Sequence, residues 1–158
     1  MKLLFKQRFF SWFDSYDIYD ENNTPVFSVK GKLAWGHRLV VYDRNNNPVG
    51  EIRERILTLL PAFEAYINDN YVGQIRKEFT LFRPKYNIDY MGWNVQGDFL
   101  GWDYTIQDNS GGYIASVSKE LLRLTDTYVL DISNPNDALP VLLFALAMDA
   151  EKCSDSNN

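Results

Sequence analysis

Six basic side chains recur at comparable places along the chain. Lys30 and Lys32, Arg53 and Arg55, and Arg76 and Lys77 each follow a polar Asn/Asp-rich cluster. If the clusters are turns, these cations stand at matched heights on successive strands. Several positive charges then converge on one surface, which suits a phosphate or an acidic headgroup through charge-assisted hydrogen bonds. Lys119 and Arg123 follow a later cluster in the same way. Glu51, Glu54, Glu78 and Glu120 are interleaved with them, so the competing reading is a solvated outer face of ordinary ion pairs. The candidate anion-binding set is Lys30, Lys32, Arg53, Arg55, Arg76 and Lys77.

Other chemistries lack parts. Asp43, Asn45, Asn47, Glu51 and Glu54 stand at positions 1, 3, 5, 9 and 12 of a calcium-loop pattern. Pro48, however, occupies the place where that loop needs glycine, and Leu39-Val40-Val41-Tyr42 reads as a strand where a helix should enter. The motif returns at Asp20, Asn22 and Pro25 without downstream carboxylates, which marks it as turn chemistry. His37 is the single histidine, in Trp35-Gly36-His37-Arg38, and no Gly-x-Ser-x-Gly elbow accompanies it. It reads as turn or surface polarity. Cys153 is the single cysteine, in a polar terminal segment ill-suited to holding a nucleophile in register. Walker, Gly-x-Gly-x-x-Gly, His-Glu-x-x-His and Cys-x-x-Cys motifs are missing, so no cofactor, metal ligand or catalytic residue is assigned. A carboxylate pair such as Asp98 and Asp103 remains the material from which acid–base chemistry could be built. Trp12, Trp35, Trp93 and Trp102 read as core packing in preference to an aromatic ligand site.

The 158 residues carry 21 acidic and 16 basic side chains, a net charge of −5, which argues against nucleic acid and confines any anion site to a local patch. One cysteine forms no intramolecular disulfide and fits a reducing compartment. The three-residue apolar stretch Leu3-Leu4-Phe5 is too short for a signal peptide. A cytoplasmic location is expected.

The elements that must position these residues are strands. Val26, Val49 and Val72 recur every 23 residues, each just after a polar cluster: Tyr19 to Thr24, Tyr42 to Asn47, and Ile67 to Tyr71. Asn and Asp bend a chain by bonding their own backbone or by accepting positive φ, so each unit is a β-hairpin. Looser copies lie at 95–101 and 106–114. Alternation of Phe63, Ala65 and Ile67 with Glu64 and Asn68, and of Tyr128, Leu130 and Ile132 with Asp131, supports half-buried strands. So many antiparallel strands leave edges unless the sheet closes, and a barrel closes it. From Ala138 to Met148 the chain then runs without a charge. A helix there is apolar on every side and needs complete burial, but the run is shorter than the roughly 20 residues of a membrane span. Asn134 and its neighbours offer caps, Pro140 falls in the first turn, and Asp149-Ala150-Glu151-Lys152 is expected to return the helix to water. Residues 1–152 read as one domain and 153–158 as a polar, frayed tail.

Six stretches occur in a telling order: Lys6-Gln7-Arg8-Phe9-Phe10-Ser11-Trp12, Leu57-Thr58-Leu59-Leu60-Pro61, Ile75-Arg76-Lys77-Glu78-Phe79-Thr80, Phe82-Arg83-Pro84-Lys85-Tyr86, Ala115-Ser116-Val117-Ser118-Lys119-Glu120 and the apolar C-terminal run. Taken in that order they resemble the LURP-one-related family, in particular its small bacterial members of the YxjI type, within the tubby-like superfamily. The resemblance covers nearly the whole chain. It implies an all-β fold with one buried helix, a closed antiparallel barrel of about twelve strands enclosing an apolar C-terminal α-helix. It supplies little function: tubby domains bind phosphoinositides, phospholipid scramblases act at membranes, and plant members are linked to defence. Fold analogy alone is a weak warrant for any of these. The functional expectation is a non-enzymatic binding or scaffold domain whose partner is an acidic phospholipid headgroup, another phosphorylated ligand or a protein. The rivals are a hydrolase-like enzyme with carboxylates in an unrecognised cleft, and a protein–protein interaction module.

Overall fold

A computed structural model describes residues 1–6, 15–34, 36–60, 62–78, 85–99, 101–121 and 126–156. Trp12, Trp35, Arg123 and the last two residues of the expected tail lie outside them. Twelve strands are followed by one helix: β1 (Lys2–Lys6), β2 (Ser15–Asp20), β3 (Pro25–Ala34), β4 (Gly36–Tyr42), β5 (Pro48–Glu54), β6 (Ala62–Ile67), β7 (Asn70–Glu78), β8 (Lys85–Tyr90), β9 (Asn94–Asp98), β10 (Asp103–Gln107), β11 (Tyr113–Leu121), β12 (Asp126–Ile132) and α1 (Ala138–Ser156).

Among the described residues every strand pair is antiparallel, and neighbours in the chain are neighbours in the sheet from β1 to β8 and from β9 to β12. β1 joins the two runs by pairing with β12, Leu3 opposite Leu130. The ends of the order, β8 and β9, are consecutive in the chain, so the sheet curls into a nearly closed barrel. Across that seam the rings of Tyr86 and Phe99 stand 5.5 Å apart.

The repeated clusters are turns at one end of the barrel, and the first two share one design with the later turn at Asp108. Asp20, Asp43 and Asp108 each accept, on Oδ1, the amides two and four residues ahead, at 2.8–2.9 Å. The fourth residue of each turn, Asn23, Asn46 or Gly111, takes the left-handed conformation that these residue types tolerate. In the third repeat Asn68 and Asp69 are both left-handed, which is a two-residue hairpin turn. Asp43 thus spends its carboxylate on the turn. The amides of Asn47 and Asn45 and the Asn47 side chain hold its carboxyl below its ordinary value.

Side chains alternate about the wall. Val29, Leu39, Val41, Ile52, Phe63, Ala65 and Ile75 are buried inward with Tyr104, Ile106, Val117, Tyr128 and Leu130. α1 fills the interior, and every residue from Val141 to Glu151 is buried. It packs on β5, β6, β7 and β12. Gly50 of β5 makes room for it, since a Cβ there would lie 3.0 Å from Leu143 Cδ1 and 3.1 Å from Leu139 Cδ1. The Tyr90 hydroxyl donates to the Pro140 carbonyl at 2.7 Å, and Phe144 meets the rings of Tyr90 and Tyr104 edge-on. A 3-10 turn at Pro135–Asp137 leads into α1, with Asn134 Oδ1 accepting from the Asn136 amide. Trp93 and Trp102 are core residues. Among the described residues no helix is long and apolar enough to cross a membrane.

The far end of α1 corrects one expectation. Asp149 and Glu151 do not return to water: they are 5% and 0% exposed. The strands extend past the apolar run and cover its charged last turns. Lys77 of β7 points inward and sets its Nζ 3.5 Å from Glu151 Oε1, while Lys152 Nζ lies 4.0 Å from the centre of the Trp102 ring. α1 also continues to Ser156, so no break in secondary structure marks residue 152.

Burial raises the Asp149 carboxyl to about 7, with Lys152 opposing the shift. The folded state therefore holds this proton more tightly than the unfolded chain, and stability falls as pH rises from about 4 to about 7. The decline is on the order of a few kcal/mol. Asp149→Asn should remove this decline, making the variant more stable than the parent at pH 8. Urea unfolding across that range checks it, and parallel pH profiles for the two proteins would contradict the burial.

Candidate functional site

The outer face of β3 to β6 gathers most of the predicted cations. Register places Lys32 opposite Arg38, Arg38 opposite Arg53, and Arg53 opposite Glu64. Lys30 stands two residues from Lys32 on the same face, and Arg55 continues the face just beyond β5. Directly opposed like charges destabilise a sheet, so this row needs counter-charge. Among the described residues, Arg38 and Arg53 share one carboxylate: Glu51 accepts Arg38 Nε at 2.6 Å and Arg38 Nη2 at 2.8 Å, and also accepts Arg53 Nε.

The side chain of Glu51 is only 9% exposed, whereas those of Arg38 and Arg53 are 41% and 43% exposed. The guanidiniums are fixed from beneath and open from above. Burial works to raise the Glu51 carboxyl, but the hydrogen bonds and charges of Arg38 and Arg53 outweigh it and leave the carboxyl below its ordinary value. Aromatic rings hold the flanks. Lys30 Nζ lies 4.5 Å and Lys32 Nζ 5.8 Å from the Tyr42 ring centre, and the Arg53 guanidinium lies 4.3 Å from that of Tyr66. Arg55 Nε is 3.4 Å from Glu64 Oε1. This face therefore carries five cations, Lys30, Lys32, Arg38, Arg53 and Arg55, against two outward carboxylates, Glu51 and Glu64.

Arg76 lies on the same outer face one strand further on. It is opposite Ala62, whose carbonyl accepts the Arg55 amide, so Arg55 and Arg76 flank this small residue. Lys77 departs from the predicted set. The two-residue period of β7 sends it to the interior with Ile75, where it meets Glu151. Arg38 was missed because it precedes its turn cluster instead of following it. Only strand pairing brings it between Lys32 and Arg53.

The remaining candidates sit elsewhere. His37 Nδ1 is 2.5 Å from Glu54 Oε2, and the same oxygen accepts the His37 amide at 2.9 Å. Asp98 and Asp103 are register partners on β9 and β10, and both are exposed. An open cleft of about 430 Å³ between the β2–β3 and β4–β5 turns is lined by Arg44 but also by Asp17 and Asp43. Those carboxylates suit an anion less well than the adjoining face.

Glu51→Gln tests how the row is built. Glu51 stabilises the fold above its unfolded pKa of about 4.5, and this contribution is lost as pH falls through the depressed folded value. Replacement should cost about 1 kcal/mol at pH 7, discounted for the exposed guanidiniums, and should flatten the acid limb of the stability profile. Chemical denaturation at pH 7 and pH 3 reads both effects. No change at either pH would remove Glu51 as the anchor.

The fold and this face can be set beside known proteins. The profile of the LURP-one-related family matches residues 1–149. Uncharacterized protein YxjI of Bacillus subtilis (strain 168) is 28% identical over 158 residues, covering 99% of this chain and 97% of that protein. The X-ray structure of a protein from Arabidopsis thaliana superposes with a TM-score of 0.61 at 16% identity, covering 94% of this chain and 89% of that one, a likeness of fold. With its profile match from the first strand into the enclosed helix, the chain belongs to the LURP-one-related family.

Proposed function

We propose that the protein is a non-enzymatic binding domain, spanning residues 1–152, that holds a phosphorylated ligand on the outer face of β3 to β6. The observation that carries this reading is the row Lys32, Arg38 and Arg53, in register on three adjacent strands, with Arg38 and Arg53 sharing the carboxylate of Glu51. A row of like charges that costs stability when empty gains most from an anion that several donors share. Arginine's fixed fork suits phosphate oxygens, and Lys30, Lys32, Arg55 and Arg76 supply charge around it. The net charge of −5 leaves this a local attraction, in keeping with one ligand group and not a polyanion. The lone cysteine favours a cytoplasmic setting.

Inorganic pyrophosphate is a suitable soluble probe. The parent should bind it weakly at low salt and release it as salt rises, because surface attraction is screened over about 10 Å at 0.1 M. Lys32→Gln combined with Arg53→Gln should weaken binding about tenfold or more and shift the melting temperature little, whereas Lys2→Gln on β1 should bind as the parent does. Titration calorimetry measures all three. Equal binding by the parent and the double variant would exclude this face.

A further inference from the structure

The loop between β5 and β6 leaves the rim of the barrel directly beyond Arg53 and Arg55. Thr58 Oγ1 donates to the Arg55 carbonyl at 3.0 Å and closes its base. Its tip is apolar: Ile56 is half exposed, and Leu57 and Leu59 are fully exposed. Leu57 has φ +68°, a left-handed conformation that a leucine rarely adopts. Two leucines wholly in water, one on an unfavourable backbone, sit in a loop whose collar is the cationic face. Arg53 and Arg55 lead into it, Arg38 and Lys32 extend the row sideways, and Arg76 stands across Ala62 where the chain returns.

We infer that the loop 56–59 inserts into the surface of an anionic bilayer, with Leu57 and Leu59 entering the acyl boundary and the cations of β3 to β5 resting on headgroup phosphates. This rests on the phosphorylated-ligand reading of the same face and names the source of the phosphate. The chemistry favours a bilayer over a protein partner. A stable protein interface buries about 1,000 Å² or more and needs a matched apolar surface, whereas here three aliphatic side chains project from one short loop. A bilayer requires no matching shape, and it places an apolar layer beneath a sheet of negative charge. The face offers the complement, an apolar tip inside a ring of cations.

Cosedimentation with phosphatidylcholine vesicles, with and without phosphatidylserine, tests the inference alongside pyrophosphate titration. The parent should sediment with the serine-containing vesicles only. Leu57→Ser combined with Leu59→Ser should reduce that partition about tenfold or more while pyrophosphate binding and melting temperature stay unchanged, because both side chains are fully exposed in the free protein. Leu57→Gly, which trims the same side chain and relieves the left-handed backbone, should weaken vesicle binding while raising the melting temperature. Undiminished vesicle binding by the leucine variants would overturn insertion, as would a parent that binds pyrophosphate but neither vesicle. A parent that binds neither probe would overturn the anion-binding reading and this inference together. A double variant that turns a dimeric parent into a monomer, with no vesicle binding by either, would assign the loop to self-association instead.

Discussion

A helix without a polar side, once formed, must be surrounded, and the rest of the structure follows from that requirement. From Val141 to Met148 the chain offers no side chain that prefers water, so one sheet face cannot satisfy it. Twelve strands wrapped around it can. The dependence runs both ways, because the inward rows of the barrel would line an empty space without Leu142, Leu143, Phe144 and Leu146. Gly50 shows how closely the two are fitted, since a Cβ there would stand only 3.0 Å from Leu143 Cδ1 and 3.1 Å from Leu139 Cδ1. The enclosure continues past the apolar run, which brings Glu151 to Lys77 and buries Asp149.

With the interior occupied by α1, the proposed ligand face lies on the outside, and the two ends of the barrel differ in their chemistry. One end is built from turns whose aspartates are engaged with their own backbone amides, as at Asp20, Asp43 and Asp108. The other carries the loop of Leu57 and Leu59 and the row of cations leading to it. Rigid strands hold the cations, so their spacing is set by the sheet and not by flexible side chains alone. The apolar tip of Leu57 and Leu59 stands at the same rim.

Much of this was legible in the chain before any coordinates. Val26, Val49 and Val72 revealed hairpins of constant length, and the uncharged run after Ala138 called for a host. Strand periodicity puts Lys30 with Lys32, and Arg53 with Arg55, on one face of their own strands, and pairing through β4 brings the two pairs to the same side of the wall. Two errors share a cause: position along a strand was read without its parity or its neighbours. Lys77 is one residue from Arg76 and therefore on the opposite side of the wall. Arg38 enters the site only through pairing between β3, β4 and β5, a relation no local pattern states. The burial of Asp149 and Glu151 was hidden for a similar reason, since charged residues after an apolar run ordinarily mark a return to solvent. Here the strands outlast the apolar segment. The leucine tip was visible only as part of the family resemblance, and its exposure is a fact of the folded loop.

Native-state hydrogen exchange of the α1 amides tests the central claim most directly. If the helix is enclosed on every side, the amides of residues 141–147 exchange only through global unfolding, with the same free energy and denaturant dependence as the central strands β4 and β5. Exchange of these amides through a smaller opening, while the strands stay protected, would mean that the helix can leave the barrel intact, contradicting the mutual dependence on which this account rests.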